Sequence, residues 1–310
     1  MPMFKAIFRF LVTLGAASIV IFVAMRAVPG NPARVMLGVN ATDAAVAELS
    51  TQLGLDRPLL TQYGSWTGDL LRGDLGISLV SKTNITAVVL DRAQVSLLLV
   101  GTALVAALAV AIPLGIISAR RKRTVGLDIA VQLGIAVPSF LMGMLLIAFV
   151  ALRLDWFPAN GWVPPNAGFG RFLSHLVLPV ISLAAVQAAM LTRYVRTAII
   201  DVIDKDFMRT ARAIGASPAQ AMWRHGLRNA ALPVLTVMGV QLTTLVVGAV
   251  VIESVFVIPG LGTYLLKAVS ARDVTTVQSI IMLLVAFTLT INFLVEMAYR
   301  LIDPRLGVHR

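Results

Sequence analysis

Cysteine is absent from all 310 residues, and only 13% of the side chains are charged. The first absence removes disulfides and thiolate metal sites and leaves the compartment open. The second, beside a hydrophobic content of 58%, is incompatible with an ordinary soluble domain. Histidine is scarce too. His175, His225 and His309 lie on three separate segments without metal-ligand spacing. No GxxxxGK followed by Ser or Thr occurs, so the chain carries no phosphate-binding loop, and no GxSxG nucleophile turn is present either. No catalytic residue, metal site or cofactor of its own is expected.

What remains is apolar sequence in long runs. Charge is missing from Phe10–Met25, Ala93–Ala119, Ile129–Leu152, Phe172–Thr192, Asn229–Ile252 and Val274–Val295. About 20 residues cross a hydrocarbon core of roughly 30 Å as a helix. Five runs reach that length, and the first does so if Arg9 snorkels and the span begins near Ala6. Unpaired backbone groups cannot be left in lipid, and strands would read as short alternating segments. The expectation is an all-α integral membrane protein with six transmembrane helices. The first run has no small-x-small cleavage site before a polar region, which favours a retained helix over a signal peptide.

Basic residues set the orientation. With the N-terminus inside, Lys5, Arg9, the RRKR at 120–123, the 193–228 loop and the tail after Glu296 are cytoplasmic. They hold sixteen of the 26 lysines and arginines, whereas the cytoplasmic side, with Asp128 and Glu296 included, holds only six of the 15 acids. Both termini are then cytoplasmic. The basic balance, +11 overall, is explained by topology rather than by nucleic-acid binding.

Intramembrane charge marks ion-coupled carriers, and the six runs have none. Gln132, Gln187, Gln241 and Asn292 are their strongest polar groups, better suited to interhelical hydrogen bonds than to ligand binding. An ion- or proton-coupled secondary carrier is the alternative that this absence disfavours; a non-transporting scaffold that recruits a soluble enzyme is another.

The chain divides into a first transmembrane helix (1–26), an extracytoplasmic cap (27–92) and a five-helix core (93–310) containing the 193–228 loop. In the cap, Thr42 caps a short helix ended by Gly54, and Pro58 opens a second with Leu59, Leu60, Tyr63, Trp66, Leu70 and Leu71 on its apolar side. Trp156 and Trp162 in the loop after span three suit an interfacial belt. After span five, Pro259-Gly260 breaks the helix, and a short apolar segment turns back along the outer surface.

The 193–228 loop is the polar exception. Ile199, Ile200, Ile203, Phe207, Ala211 and Ile214 form a helical stripe, and Gly215 ends that helix. Ser217-Pro218-Ala219-Gln220 restarts one, with Ser217 as N-cap and Gln220 closing a capping box. Met222, Trp223 and Leu227 project from it. Such a knob suits a partner's groove, or an amphipathic pair on the headgroups; the stop and restart favour the groove.

This loop resembles the EAA loop of permease subunits of binding-protein-dependent ABC importers, in the dipeptide/oligopeptide/nickel branch. Gly215 aligns with that family's glycine, while Arg209-Thr210-Ala211 stands where its consensus reads E-A-A. VPGNPA, LGLDRPLLTQY, GDLGIS, ESVFVIPGLG and LIDPRLG are similar to other hallmarks of the branch, in the same order. The resemblance implies the first permease of a heterodimer, fed by an extracytoplasmic solute-binding protein. Two ATP-binding subunits would carry ATP and Mg beneath a bacterial inner membrane. It further implies coupling through Phe207, Arg209, Thr210, Ala211, Gly215, Ser217, Met222, Trp223 and Leu227. Glu253, Pro259 and Gly260 would shape an outer gate, and peptides would be the solute, with nickel or glutathione as variants of the same architecture.

Overall fold

The computed structural model describes residues 2–28, 30–38, 40–120 and 125–302. Within them the regular elements are helices. Five are long and apolar enough to cross a membrane, and a bent pair supplies a sixth span if counted as one. The spans are α1 (Pro2–Ala27), α5 (Thr86–Arg120), the pair α6 (Val125–Ala136) and α7 (Ser139–Leu146), α8 (Phe169–Ile203), α11 (Leu227–Val255) and α13 (Val274–Ile302). Between α1 and α5 lie α2 (Pro32–Leu37), α3 (Asp43–Gln52) and α4 (Leu59–Leu71). Between α8 and α11 lie α9 (Asp206–Ala213) and α10 (Pro218–Ala221), and α12 (Leu261–Ser270) precedes α13.

The third run departs from one straight helix. Its two halves are bent by 100° at Val137-Pro138, where Pro138 has no N–H to donate and its ring clashes with a continuing helix. A wider π turn at Ile147–Ala151 then ends α7.

Two compact units divide the chain, Met1–Val95 with Pro259–Thr290 and Ser96–Ile258 with Ile291–Arg310. In the first, Thr42 accepts from the Ala45 N–H and caps α3, and Gly54 follows with a φ of 66°. Phe22 of α1 packs edge-on against Tyr63 of α4 at 5.4 Å and stacks on Trp66 at 6.0 Å. A hydroxyl pair, Ser18 and Tyr63 at 2.7 Å, closes that contact. Asp273 is buried beside the first turn of α13. It accepts from the Ser78 hydroxyl at 2.5 Å, the Leu79 N–H at 3.1 Å and the Thr276 hydroxyl at 2.7 Å. A buried carboxylate is tolerable only with such satisfaction, and it knits the GDLGIS turn to α13.

In the second unit, Ala107 and Ala111 of α5 meet Ala184, Ala188 and Leu191 of α8. Small residues of this kind let membrane helices approach closely. At Gly115 a Cβ would stand 2.5 Å from the Val195 side chain, so only glycine allows this α5–α8 contact. Gln241 donates to the Met190 sulfur at 3.0 Å, the interhelical bond expected of it. Gln187 is buried, yet its Oε1 has no hydrogen-bond partner.

Candidate coupling loop

The apolar run of the fourth span ends at Thr192, but α8 continues to Ile203. It does so because Val195, Ala198, Ile199 and Val202 recur at helical spacing and stay buried. The stripe that was expected to form one helix up to Ile214 is divided: α8 stops at Asp204 and α9 begins at Asp206. Asp206 stands in the first turn of α9 and Arg212 in its last, each matched to the helix dipole.

α9 is two-faced. Met208 and Ala211 are buried in one core with the end of α8, whereas Phe207, Arg209, Thr210 and Arg212 face outward. Ile214 is 82% exposed. The helix ends in a Schellman motif, with the Ala216 N–H bonded to the Ala211 carbonyl and the Gly215 N–H to the Arg212 carbonyl, both at 3.1 Å. Gly215 takes the required left-handed position with a φ of 97°. The capping box also forms: the Gln220 N–H donates to the Ser217 hydroxyl at 3.2 Å, and the Ser217 N–H to Gln220 Oε1 at 3.0 Å.

One expectation is corrected. Met222 does not project; it is 3% exposed and belongs to the core shared by α8 and α9. A Cβ at position 226 would lie 2.4 Å from its sulfur, so Gly226 makes the space for it. Leu227 is half-buried against the same core. Trp223 stands in the π turn Met222–Gly226, and its side chain lies outside the described residues. The second short helix is not separate either, because α10 runs through this turn directly into α11. Among the described side chains of α9, Phe207, Arg209 and Thr210 are exposed and face away from this core.

The other candidate group sits at the far end of α11. Glu253 lies inside the helix's last turn, 1% exposed, and accepts from the Ser96 hydroxyl at 2.5 Å. A second Schellman motif follows, with the Ile258 N–H on the Glu253 carbonyl at 2.8 Å. Its left-handed residue is Val257, with a φ of 54°, a strained choice for a β-branched side chain. Pro259 and Gly260 come next, and Gly260 is the N-cap of α12. The site reading missed the Asp128–Arg196 ion pair, which joins α6 to α8; nothing in two residues 68 positions apart signals it. Parts of the quoted hallmarks also fall outside the described residues, namely Pro29 of VPGNPA and Asp303–Gly307 of LIDPRLG, as do Arg121, Lys122 and Arg123 of the basic cluster.

Helices long and apolar enough to span a membrane, with a short, stopped and restarted amphipathic loop between α8 and α11, define a multi-pass membrane protein. The chain belongs to the family described as binding-protein-dependent transport system inner membrane component, whose model matches residues 111–308. The companion N-terminal model for the same membrane components matches residues 3–100. Among relatives, the chain is 34% identical to a probable peptide ABC transporter permease protein, y4tP, of Sinorhizobium fredii, covering 94% of this chain and 95% of that one. It is 34% identical to the oligopeptide transport system permease protein AppB of Bacillus subtilis, covering 93% of each. The glutathione transport system permease protein GsiC of Escherichia coli is 37% identical, over 97% and 96%. In fold, the chain is similar to a structure of the MetNI methionine ABC transporter in an inward-facing conformation. The TM-score is 0.58 at 17% identity, over 71% of this chain and 98% of that one. The family is that of the permease subunits of such transporters, which are not themselves enzymes.

Proposed function

We propose that the chain is one of two unlike permease subunits of an ATP-driven importer for di- or oligopeptides. Two nearly full-length relatives bear peptide or oligopeptide names, and that observation carries the choice of solute. A glutathione permease at similar identity keeps small γ-linked peptides within the same class. An extracytoplasmic binding protein delivers the solute to the cap at 27–92 and the neighbouring loops. Two ATP-binding subunits, holding ATP and Mg, dock on the opposite side of the membrane. In this reading both termini and the 193–228 loop are cytoplasmic, which the basic asymmetry supports.

Docking falls on α9. Phe207, Arg209 and Thr210 meet the ATP-binding subunit. Ala211, Met222 and Leu227 form the core behind them, Gly215 and Ser217 fix the turn, and Trp223 follows on the restarted helix. A rigid, core-backed helix passes force to packed spans, whereas a flexible tail would not. Glu253, Pro259 and Gly260 shape the outer gate. The test is reconstitution of the chain with the permease, ATPase and binding-protein products of neighbouring genes in liposomes. ATP-dependent uptake of a peptide retained by that binding protein is expected. Equal uptake without ATP, driven by an ion gradient, would overturn the reading in favour of a secondary carrier.

A further inference from the structure

The third span is made of two halves that meet at a sharp bend. Its first half, α6, has no buried residue, and it meets α7 at the 100° bend where Pro138 interrupts the hydrogen-bond ladder. Two features hold it to α8. Near its end, beside the bend, a Cβ on Gly134 would lie 2.8 Å from that of Ala189, so the two backbones are in close approach. Near its start, Asp128 is paired with Arg196. Between α5, α6 and α8 lies an apolar cavity of about 410 Å³, walled in part by Val110, Leu114, Val131, Ala188 and Thr192. α6 is one wall of this space, and a 12-residue helix swung about its end would change its width.

The other partner of the pair lies on the path from the loop. Arg196 follows Val195 and precedes Ala198, Ile199 and Val202, which share one core with Met208 and Ala211 of α9. A displacement imposed on α9 is therefore carried by packed side chains into the last turns of α8, where Arg196 sits. Packed cores transmit such shifts because they are not continuously deformable.

We propose that Asp128 and Arg196 are positioning residues for transport: their ion pair ties the movable half of the third span to the α9-bearing end of α8, so that closure of the ATP-binding subunits moves α6. This deepens the proposed function and rests on it. Neither side chain touches solute or nucleotide; both act through the helices they join. The two side chains are 33% and 43% exposed. A part-exposed pair is worth no more than about 1 kcal/mol, suited to a contact that must release and re-form.

The test uses the full transporter, with its partner subunits and binding protein, in liposomes. Asp128→Asn and Arg196→Gln should each lower the solute carried per ATP hydrolysed, by roughly twofold to fivefold, while complex yield stays normal. The double variant should cost less than the sum of the two single losses, because the shared pair accounts for part of each. Asp128→Glu should restore most of the ratio. A purely structural role would reduce yield and thermal midpoint but leave the ratio unchanged. In a second arm, Leu127→Cys and Thr192→Cys, in this otherwise cysteine-free chain, are bridged by a short bifunctional methanethiosulfonate. Bridging should arrest uptake, and reducing agent should restore it; trapping the nucleotide state with vanadate should alter the yield of bridging. An unchanged transport ratio in both single variants, or normal uptake by the bridged complex, would overturn the proposal. No ATP-driven uptake by the unsubstituted complex would instead overturn the importer reading, and the proposal with it.

Discussion

Gly215 offers the sharpest perturbation, because its role is conformational and its surroundings are empty. Its φ is 97°, and a Cβ placed on it meets no atom within 4 Å. The penalty for any other residue is thus confined to the backbone. A left-handed L-residue costs roughly 1–2 kcal/mol, which shifts the population of the native turn by a factor of about 5–30. Gly215→Ala should show that shift. Gly215→Val should exceed it, since branching at Cβ also restricts χ1. What is lost is the pair of bonds from Gly215 and Ala216 back to α9, and with them the angle between α9 and the capping box at Ser217. The spanning runs are untouched, so membrane insertion and expression should remain near normal. Copurification of the ATP-binding subunits and peptide uptake should fall in the order wild type, Ala, Val. Wild-type copurification and uptake in Gly215→Val would refute the reasoning and leave the loop as an amphipath resting on headgroups.

The remaining expectations concern other residues. Met222→Ala leaves a cavity under α9 and should destabilise the chain by about 2–4 kcal/mol, read as a lower midpoint in detergent. Phe207→Ala, on the outward face, should keep the midpoint and lose ATPase copurification, and the opposite assignment would reverse the two faces of the loop. Val257→Gly relieves a strained left-handed residue at an exposed site and should stabilise by roughly 1 kcal/mol; an unchanged or lower midpoint would show that the strain is not felt. The Asp74 carboxyl is held below its ordinary value by the Gly76 N–H, aided by Asn84. The stability it adds is full above the unfolded-state value and lost as pH falls through the lowered one. Asp74→Asn should therefore flatten the acid limb of the thermal-stability profile. An acid limb identical to wild type would count against this.

Much of this architecture was legible because it rests on local chemistry. Hydrocarbon length set the six runs, and the short-range rules for Thr42, Gly54, Gly215, Ser217 and Gln220 each found the expected partner or dihedral. Freedom from charge, however, measures where lipid lies and not where a helix ends. α8 outruns its apolar run to Ile203, and α11 extends past Ile252 to enclose Glu253. Pro138 was visible in the third run, but a proline in a membrane helix can be absorbed by neighbours, so the 100° bend needed coordinates. Burial of Met222 depends on a glycine four residues later and on α8, a tertiary fact that periodicity in a short helix cannot resolve. Asp273 and Arg196 find partners 195 and 68 positions away, beyond any local signal.

The measurement closest to the central claim is a site-specific photo-crosslink from α9. With a photoreactive residue at position 207 and the whole transporter assembled in membranes, illumination should link this chain to an ATP-binding subunit. The same group at Ala271, just beyond α12, should give no such adduct. Adducts to the ATP-binding subunit from position 271 with none from position 207, in a complex that takes up peptide normally, would contradict the account.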